Sequence, residues 1–412
     1  MAGLPREVGE VFRRYGPAFL AVYGDSISFE QRRVIEALAA CRTPALGGHF
    51  YKCDECPHEV VLYNSCLNRH CPLCQADEAA QWFESRLAEV LPVFYFHIVF
   101  TLPGSLATVA LQNKRVVYDL LFKASSQTLL TIASDPRHLG AAIGFFGILH
   151  TWGQTLLDHP HVHYVVPGGG LSPDRSRWIS TRPTYFAPVR VLSRLFRGKL
   201  LALLEDAFNT GKLKFHGSIA DLADVKAFHR LINSIRKKEL VVYAKEPHAS
   251  PQQTLKYLAR YTHRVAISNR RLISIDDGRV TFSWKDYEHG GVRRTTTLDA
   301  VEFIRRFLLH VLPRRFVRIR SYGLMANRDR HEHLEACRRL LGPTPATTNP
   351  QAADEPDAED DDTPATETNE SDRRRSLVCP VCKKGRLLKV KEIPPESAPR
   401  VPVDASWGWT TT

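Results

Sequence analysis

The sequence predicts an α+β protein: an antiparallel sheet covered by helices, preceded by a small helical module held together by zinc. Three observations lead there. Six of the nine cysteines crowd between Cys41 and Cys74, and Cys53-x-x-Cys56 and Cys71-x-x-Cys74 form two knuckles 14 residues apart. A strand–helix–strand–strand order follows, from a β-branched and aromatic run at Val93 to Leu102 onwards. No apolar stretch approaches the roughly 18–20 residues needed to cross a membrane.

Composition narrows the function. The 412 residues include 56 Lys or Arg against 44 Asp or Glu, a formal charge of +12, and 43% are apolar. The charge is uneven: the first 342 residues hold 47 basic and 31 acidic side chains, a formal +16. A folded body that basic points to a polyanionic partner. The segment Met1 to Arg14 is charged and lacks an apolar core, so a signal peptide is not expected and a cytoplasmic location is. Cysteines odd in number and without a secretion signal argue for metal binding rather than disulfides.

In chain order, Val8 to Ala40 reads as two helices, with Phe12, Tyr15 and Phe19 on one face and Val34, Ile35 and Leu38 on another. Ser28 with Gln31 resembles a capping pair that starts the second helix. The two knuckles present four thiolates, Cys53, Cys56, Cys71 and Cys74, a set that closes a tetrahedral structural Zn2+ site. Cys66 and His70, with Cys41 and His49, remain as ligands for a second ion or as packing around the first. Gln75 to Leu91 continues as a helix, completing a module over 1–90.

The body begins with the strand at Val93 to Leu102, stopped by Pro103-Gly104. Ser105 to Ala133 reads as one or two helices, and Ile143 to His150 and His161 to Val166 as strands, the latter ended by Pro167 and three glycines. Helices are expected at Val189 to Asn209 and Asp221 to Lys238, and a short strand at Leu240 to Tyr243. Beyond 264, Arg271 to Ile275 and Arg279 to Trp284 look like a hairpin around Asp277-Gly278, Leu298 to Leu312 like an amphipathic helix, and Arg314 to Arg320 like a basic strand. No phosphate-binding glycine loop occurs.

Two constellations carry chemistry. Four of 17 histidines, His150, His159, His161 and His163, fall within 14 residues. His161 and His163 flank Val162 on a strand, so both imidazoles face one side and can share a divalent cation. Gln154 or Asp158 can supply an oxygen as third ligand, while Pro160 is expected to redirect the chain between His159 and His161. The second constellation is T-L-K-Y-L-A-R-Y-T-H-R, residues 254–264, a helix placing Tyr257 and Tyr261 one turn apart among Lys256, Arg260 and Arg264. Phenols on a cationic face suit contact with a phosphodiester, and a tyrosine oxygen can attack phosphorus.

These residues carry a family resemblance. The stretches L-G-G-H-x-Y-x-C-x-x-C, S-C-x-x-R-H-C-P-x-C-Q, H-T-W-G-Q, H-P-H-V-H-x-V-V-P-G-G-G and Y-L-A-R-Y-T-H-R-V-A-I-S-N, in this order over about residues 10–340, resemble the rolling-circle transposases of the insertion sequence 91 group. Those are two-tyrosine nucleases of the His-hydrophobic-His (HUH) superfamily, with a ferredoxin- or RRM-like core. The resemblance implies nicking of single-stranded DNA at a transposon end. Tyr257 or Tyr261 would become linked to the 5′-phosphate, and no nucleotide cofactor would be needed. It implies Mg2+ or Mn2+ on His161 and His163, with Gln154 at the spacing of a third ligand. Arg318 and Arg320, with Lys256, Arg260 and Arg264, are the expected contacts to DNA. The alternatives are an HUH replication initiator or relaxase, or a zinc-stabilised DNA-binding protein without catalysis.

The tail departs from the pattern. Residues 343–375 read as a disordered linker, with 10 acidic residues between Asp354 and Asp372. Within 376–412, Cys379-x-x-Cys382 is one more knuckle, either a remnant or half a zinc ribbon completed from elsewhere, and the remnant is the reading preferred. The division expected is therefore a zinc module (1–90), a catalytic body (91–342), a linker (343–375) and a CxxC tail (376–412).

Overall fold

A computed structural model describes residues 7–75, 89–182, 186–245, 265–342 and 378–396. The helix expected over Gln75–Leu91 falls mainly outside the described residues, and the tyrosine helix at 254–264 and the acidic linker fall wholly outside them.

The described helices are α1 (Val8–Tyr23), α2 (Phe29–Ala40), α3 (Ala107–Gln112), α4 (Lys114–Ser134), α5 (Val189–Asn209), α6 (Val225–Arg236), α7 (Ala300–Leu309) and α8 (Arg330–Leu341). The strands are β1 (Gly48–Cys53), β2 (Glu59–Tyr63), β3 (Tyr95–Thr101), β4 (Gly144–Trp152), β5 (Asp158–Pro167), β6 (Gly169–Leu171), β7 (Trp178–Ser180), β8 (Val242–Lys245), β9 (Leu272–Asp276), β10 (Arg279–Asp286), β11 (Val292–Asp299), β12 (Ile319–Gly323) and β13 (Leu387–Ile393).

The central sheet has the order β12-β4-β5-β3-β8, and every neighbouring pair is antiparallel. The residues that alternate toward one face, Phe96, Ile98, Phe100, Phe145, Leu149, Val162, Tyr164 and Val166, bury against α4, α5 and α6 in the largest core. Helices therefore cover this face, as the α+β reading requires. Gly147 on β4 lies opposite Tyr164, and a Cβ there would sit 2.4 Å from the tyrosine ring. The missing side chain lets Tyr164 lie across the strand, where its hydroxyl meets Ser125 Oγ at 2.8 Å.

Several expectations need correcting. Strand β5 starts at Asp158 and runs through Pro160. The proline does not redirect the chain, because its missing N–H falls beyond the β3 ladder, which ends at the Thr101–His161 pair. The basic strand begins only at Ile319, since Arg315 takes a positive φ of 59° and breaks extension. Asp277 and Gly278 have φ of 48° and 73°, as a tight hairpin turn requires, but a third strand, β11, joins that hairpin.

The N-terminal module is not purely helical. Residues 48–53 and 59–63 are rich in aromatic and β-branched side chains and pair around the Cys53 knuckle, and β13 from the tail adds to the other edge of β1. The helical part is as expected: Gln31 N donates to Ser28 Oγ at 3.2 Å and Ser28 N to Gln31 Oε1 at 2.8 Å, a complete capping box. The pair α1/α2 does not close a core alone. Phe12 packs edge-on against Phe307 at 5.2 Å, and the two helices share one apolar cluster with Ile267, Leu272, Phe282, Phe303 and Leu308. The helical half of the module is thus docked on the 265–311 segment.

Candidate functional site

The face of the central sheet away from α4 and α5 carries the histidines. Alternation puts His161 and His163 there together, and register adds two more. His150 on β4 lies directly opposite His161, and on β3 Val99 lies opposite His163, so His97 two residues earlier shares the face. One ligand nitrogen from each of His150, His161 and His163 lies within 4.8 Å of the others.

Their neighbours orient them. The His161 Nδ1 is 2.6 Å from the carbonyl oxygen of His159. A carbonyl only accepts, so Nδ1 carries the proton and Nε2 keeps its lone pair. His97 Nε2 lies 2.8 Å from His163 Nδ1, with the two rings nearly parallel at 5°. Trp152 stacks on His150 at 4.7 Å and 20°. His159, the fourth histidine of the cluster, is exposed near the start of β5.

The expected oxygen ligands fare differently. Asp158 lies an odd number of residues from His161 and so belongs to the opposite face of β5, near Lys114 and Tyr118 of α4. Burial pushes its carboxyl up to about 6, against the opposing pull of Lys114. Gln154 sits in the turn between β4 and β5, where its backbone carbonyl accepts from Arg271. The histidine that the register supplies is His150. Sequence spacing placed it in the cluster without a role, because the partner of His161 across the sheet depends on register. His97 carries no signal in the sequence at all.

The four thiolates expected at one zinc divide between two clusters. Cys71 and Cys74 join Cys41 and Cys66, and Cys53 and Cys56 join Cys379 and Cys382. In the first cluster the Sγ–Sγ distances are 3.8 Å for Cys41–Cys74, 3.6 Å for Cys66–Cys74 and 3.6 Å for Cys41–Cys71. A tetrahedron with Zn–S bonds of 2.3 Å has edges of about 3.8 Å, so this set fits zinc. The β1–β2 hairpin projects the Cys53 knuckle away from Cys71, which is why 14 intervening residues did not fold the two knuckles together.

His70 stays out of both clusters. It lies beside Arg69, Arg318, Lys114 and His310, and desolvation, with the cationic Arg69, Arg318 and Lys114, drives its pKa well down. Arg69 donates to the carbonyls of Phe316 at 2.7 Å and Pro313 at 3.4 Å, locking the first cysteine cluster to the body.

Arg318 and Arg320, expected to contact DNA, are both partly buried. Burial lowers the Arg318 guanidinium to about 10. Arg320 pairs with Asp119 and lies over the rings of Phe122 at 4.2 Å and Phe316 at 5.0 Å. Arg320 lies on β12 itself, and Arg318 just before it. Tyr257, Tyr261, Lys256, Arg260 and Arg264 lie outside the described residues. Among the described residues no helix is long and apolar enough to cross a membrane.

Residues 11–102 match the family model described as "Transposase zinc-binding domain", and residues 144–332 match the one described as "Putative transposase". The chain is 53% identical over 393 residues to "Putative transposase y4qJ" of Sinorhizobium fredii (strain NBRC 101917 / NGR234), covering 95% of this chain and 96% of that protein. It is 29% identical over 319 residues to "Transposase for insertion sequence element IS801" of Pseudomonas savastanoi pv. phaseolicola, covering 76% of this chain and 75% of that one. The chain therefore belongs to the transposases of the insertion sequence 91 type, enzymes that cleave and transfer DNA, with their zinc-binding domain placed first.

Proposed function

We propose that this transposase nicks single-stranded DNA at insertion-sequence ends through a tyrosine, forms a 5′-phosphotyrosine link and transfers the strand by rolling-circle transposition. The observation that supports the reading is the place of β8, the strand that precedes the two tyrosines in sequence. Strand β8 pairs with β3 so that Lys245 is the partner of His97, and His97 touches His163.

Three imidazole nitrogens suit a divalent transition ion such as Mn2+ better than Mg2+, and Gln154 offers an amide oxygen nearby in sequence. A divalent cation held there would polarise the non-bridging oxygens of the target phosphate. The chain's own residues do the remaining work. One tyrosine oxygen, having lost its proton to solvent, bonds to phosphorus as the bond from phosphorus to the 3′ oxygen breaks, and that oxygen takes up a proton to become a 3′-OH. An incoming 3′-OH reverses these steps at a new site, so the bond energy is retained and no nucleotide cofactor is required. The second tyrosine permits a second cleavage before the first link is resolved. Lys256, Arg260 and Arg264 would contact the strand's phosphates. The setting is cytoplasmic, on the nucleoid while the protein holds DNA.

The test is incubation with single-stranded end oligonucleotides in Mn2+ or Mg2+, scored for a covalent adduct. Adduct is expected with the wild-type chain and none with Tyr257→Phe/Tyr261→Phe. An adduct surviving in the double variant, or none from any end sequence, would overturn the reading.

A further inference from the structure

We infer that Cys53, Cys56, Cys379 and Cys382 hold a second structural zinc, and that this ion clasps residues 378–396 onto the N-terminal domain. The inference does not depend on the strand-transfer mechanism. The zinc-binding domain that the family comparison matches ends at residue 102, far short of two of these ligands.

The sulfur geometry is that of a metal site. Cys53 Sγ lies 3.7 Å from Cys382 Sγ, and Cys56 Sγ lies 3.6 Å from Cys379 Sγ. All four sulfurs fall within 4.8 Å of one another. These spacings match the roughly 3.8 Å edge of a four-thiolate zinc tetrahedron. They are far from the roughly 2.05 Å of a disulfide.

The surroundings are built for thiolates. Glu55 N points at Cys53 Sγ at 3.4 Å, and Gly385 N at Cys382 Sγ at 3.3 Å, so each knuckle turns a backbone donor onto its own sulfur. Gly385 is the residue that lets the two knuckles meet. A Cβ there would stand 2.6 Å from Cys53 Sγ and 2.5 Å from Asp54 Oδ1. The knuckles are also tied together beside the sulfurs: Arg386 N donates to Asp54 Oδ1 at 2.7 Å, and Asp54 N to the Arg386 carbonyl at 3.1 Å.

Strand pairing then carries the tail along the domain. From Cys53↔Leu387 to Gly48↔Ile393, β13 runs antiparallel to β1, and Glu396 N closes on the Pro44 carbonyl at 3.1 Å. The result is a zinc ribbon whose two halves come from opposite ends of the chain. Each half brings two ligands, so neither can close the tetrahedron alone.

The test counts zinc per full-length chain by elemental analysis. It is done on a His161→Ala/His163→Ala background, which removes the histidine cluster from the count. Two ions are expected. Cys379→Ser/Cys382→Ser should leave one, Cys53→Ser/Cys56→Ser should leave one, and the quadruple variant should also leave one, because both pairs serve the same ion. Cys382→His, which keeps a ligand, should retain two. The clasp is overturned if the tail double variant keeps two ions, if it loses both, or if the quadruple variant loses more than either double.

Discussion

His97 Nε2 and His163 Nδ1 are in hydrogen-bond contact at 2.8 Å, although the two residues are 66 positions apart. The contact exists because β3 and β5 pair with Val99 opposite His163. It holds the ring of His163 at a fixed rotation. His97 is a positioning residue in this sense. His97→Ala should weaken Mn2+ binding about 10–100-fold, read by calorimetric titration, while His97→Gln, which retains a hydrogen-bonding group, should recover part of the loss. Unchanged affinity in the alanine variant would show that the contact orients nothing.

Gly147 tests how the helix-covered face supports the histidine face. Adding a methyl should force Tyr164 off β4 and disturb its 2.8 Å contact with Ser125 Oγ. Gly147→Ala should lose about 1–3 kcal/mol of stability, as overpacked cores do, and should weaken metal binding because β5 carries Tyr164 and His163 on successive positions. A denaturation midpoint equal to wild type would mean that the ring has room to move.

Arg320 should behave as a structural residue. Its guanidinium is engaged by Asp119, Phe122 and Phe316. Asp119 is 44% exposed, which discounts the ion pair. Arg320→Ala should therefore cost only about 1–2 kcal/mol, most of it from packing and the cation–π contact. The salt dependence of DNA binding should stay as in wild type. A salt slope reduced by about one unit, with stability intact, would return Arg320 to the DNA interface.

His310 should confer acid sensitivity. It is buried, its Nε2 faces the Leu156 carbonyl at 3.1 Å, and burial lowers its pKa to about 3. A folded pKa below the unfolded value of about 6.5 means that the unfolded chain takes the proton first. The stability this group contributes is complete above pH 6.5 and is lost as pH falls toward 3. Across that window, the pH slope of stability should be shallower in His310→Gln than in wild type by up to about 1.4 kcal/mol per unit. Zinc release acts on both proteins, so the difference isolates His310. Equal slopes would show that the imidazole is protonated in the fold.

Local spacing in the sequence determined the pieces of this protein. The Ser28–Gln31 cap, the strand around His161 and His163, the tight turn at Asp277-Gly278 and each CxxC knuckle depend on neighbours a few residues away, and propensity and periodicity report such neighbours directly. Tertiary structure decided which pieces meet. The His150–His161 pair and the His97–His163 contact follow from strand register, which flips a whole face on a one-residue slip and leaves no local mark. The cysteine partition is the sharpest case. Any two knuckles satisfy tetrahedral zinc equally well by composition, so the sequence could not distinguish Cys71-x-x-Cys74 from Cys379-x-x-Cys382 as partner to Cys53-x-x-Cys56. The pairing of β1 with β13, across more than 300 residues of intervening chain, made that choice.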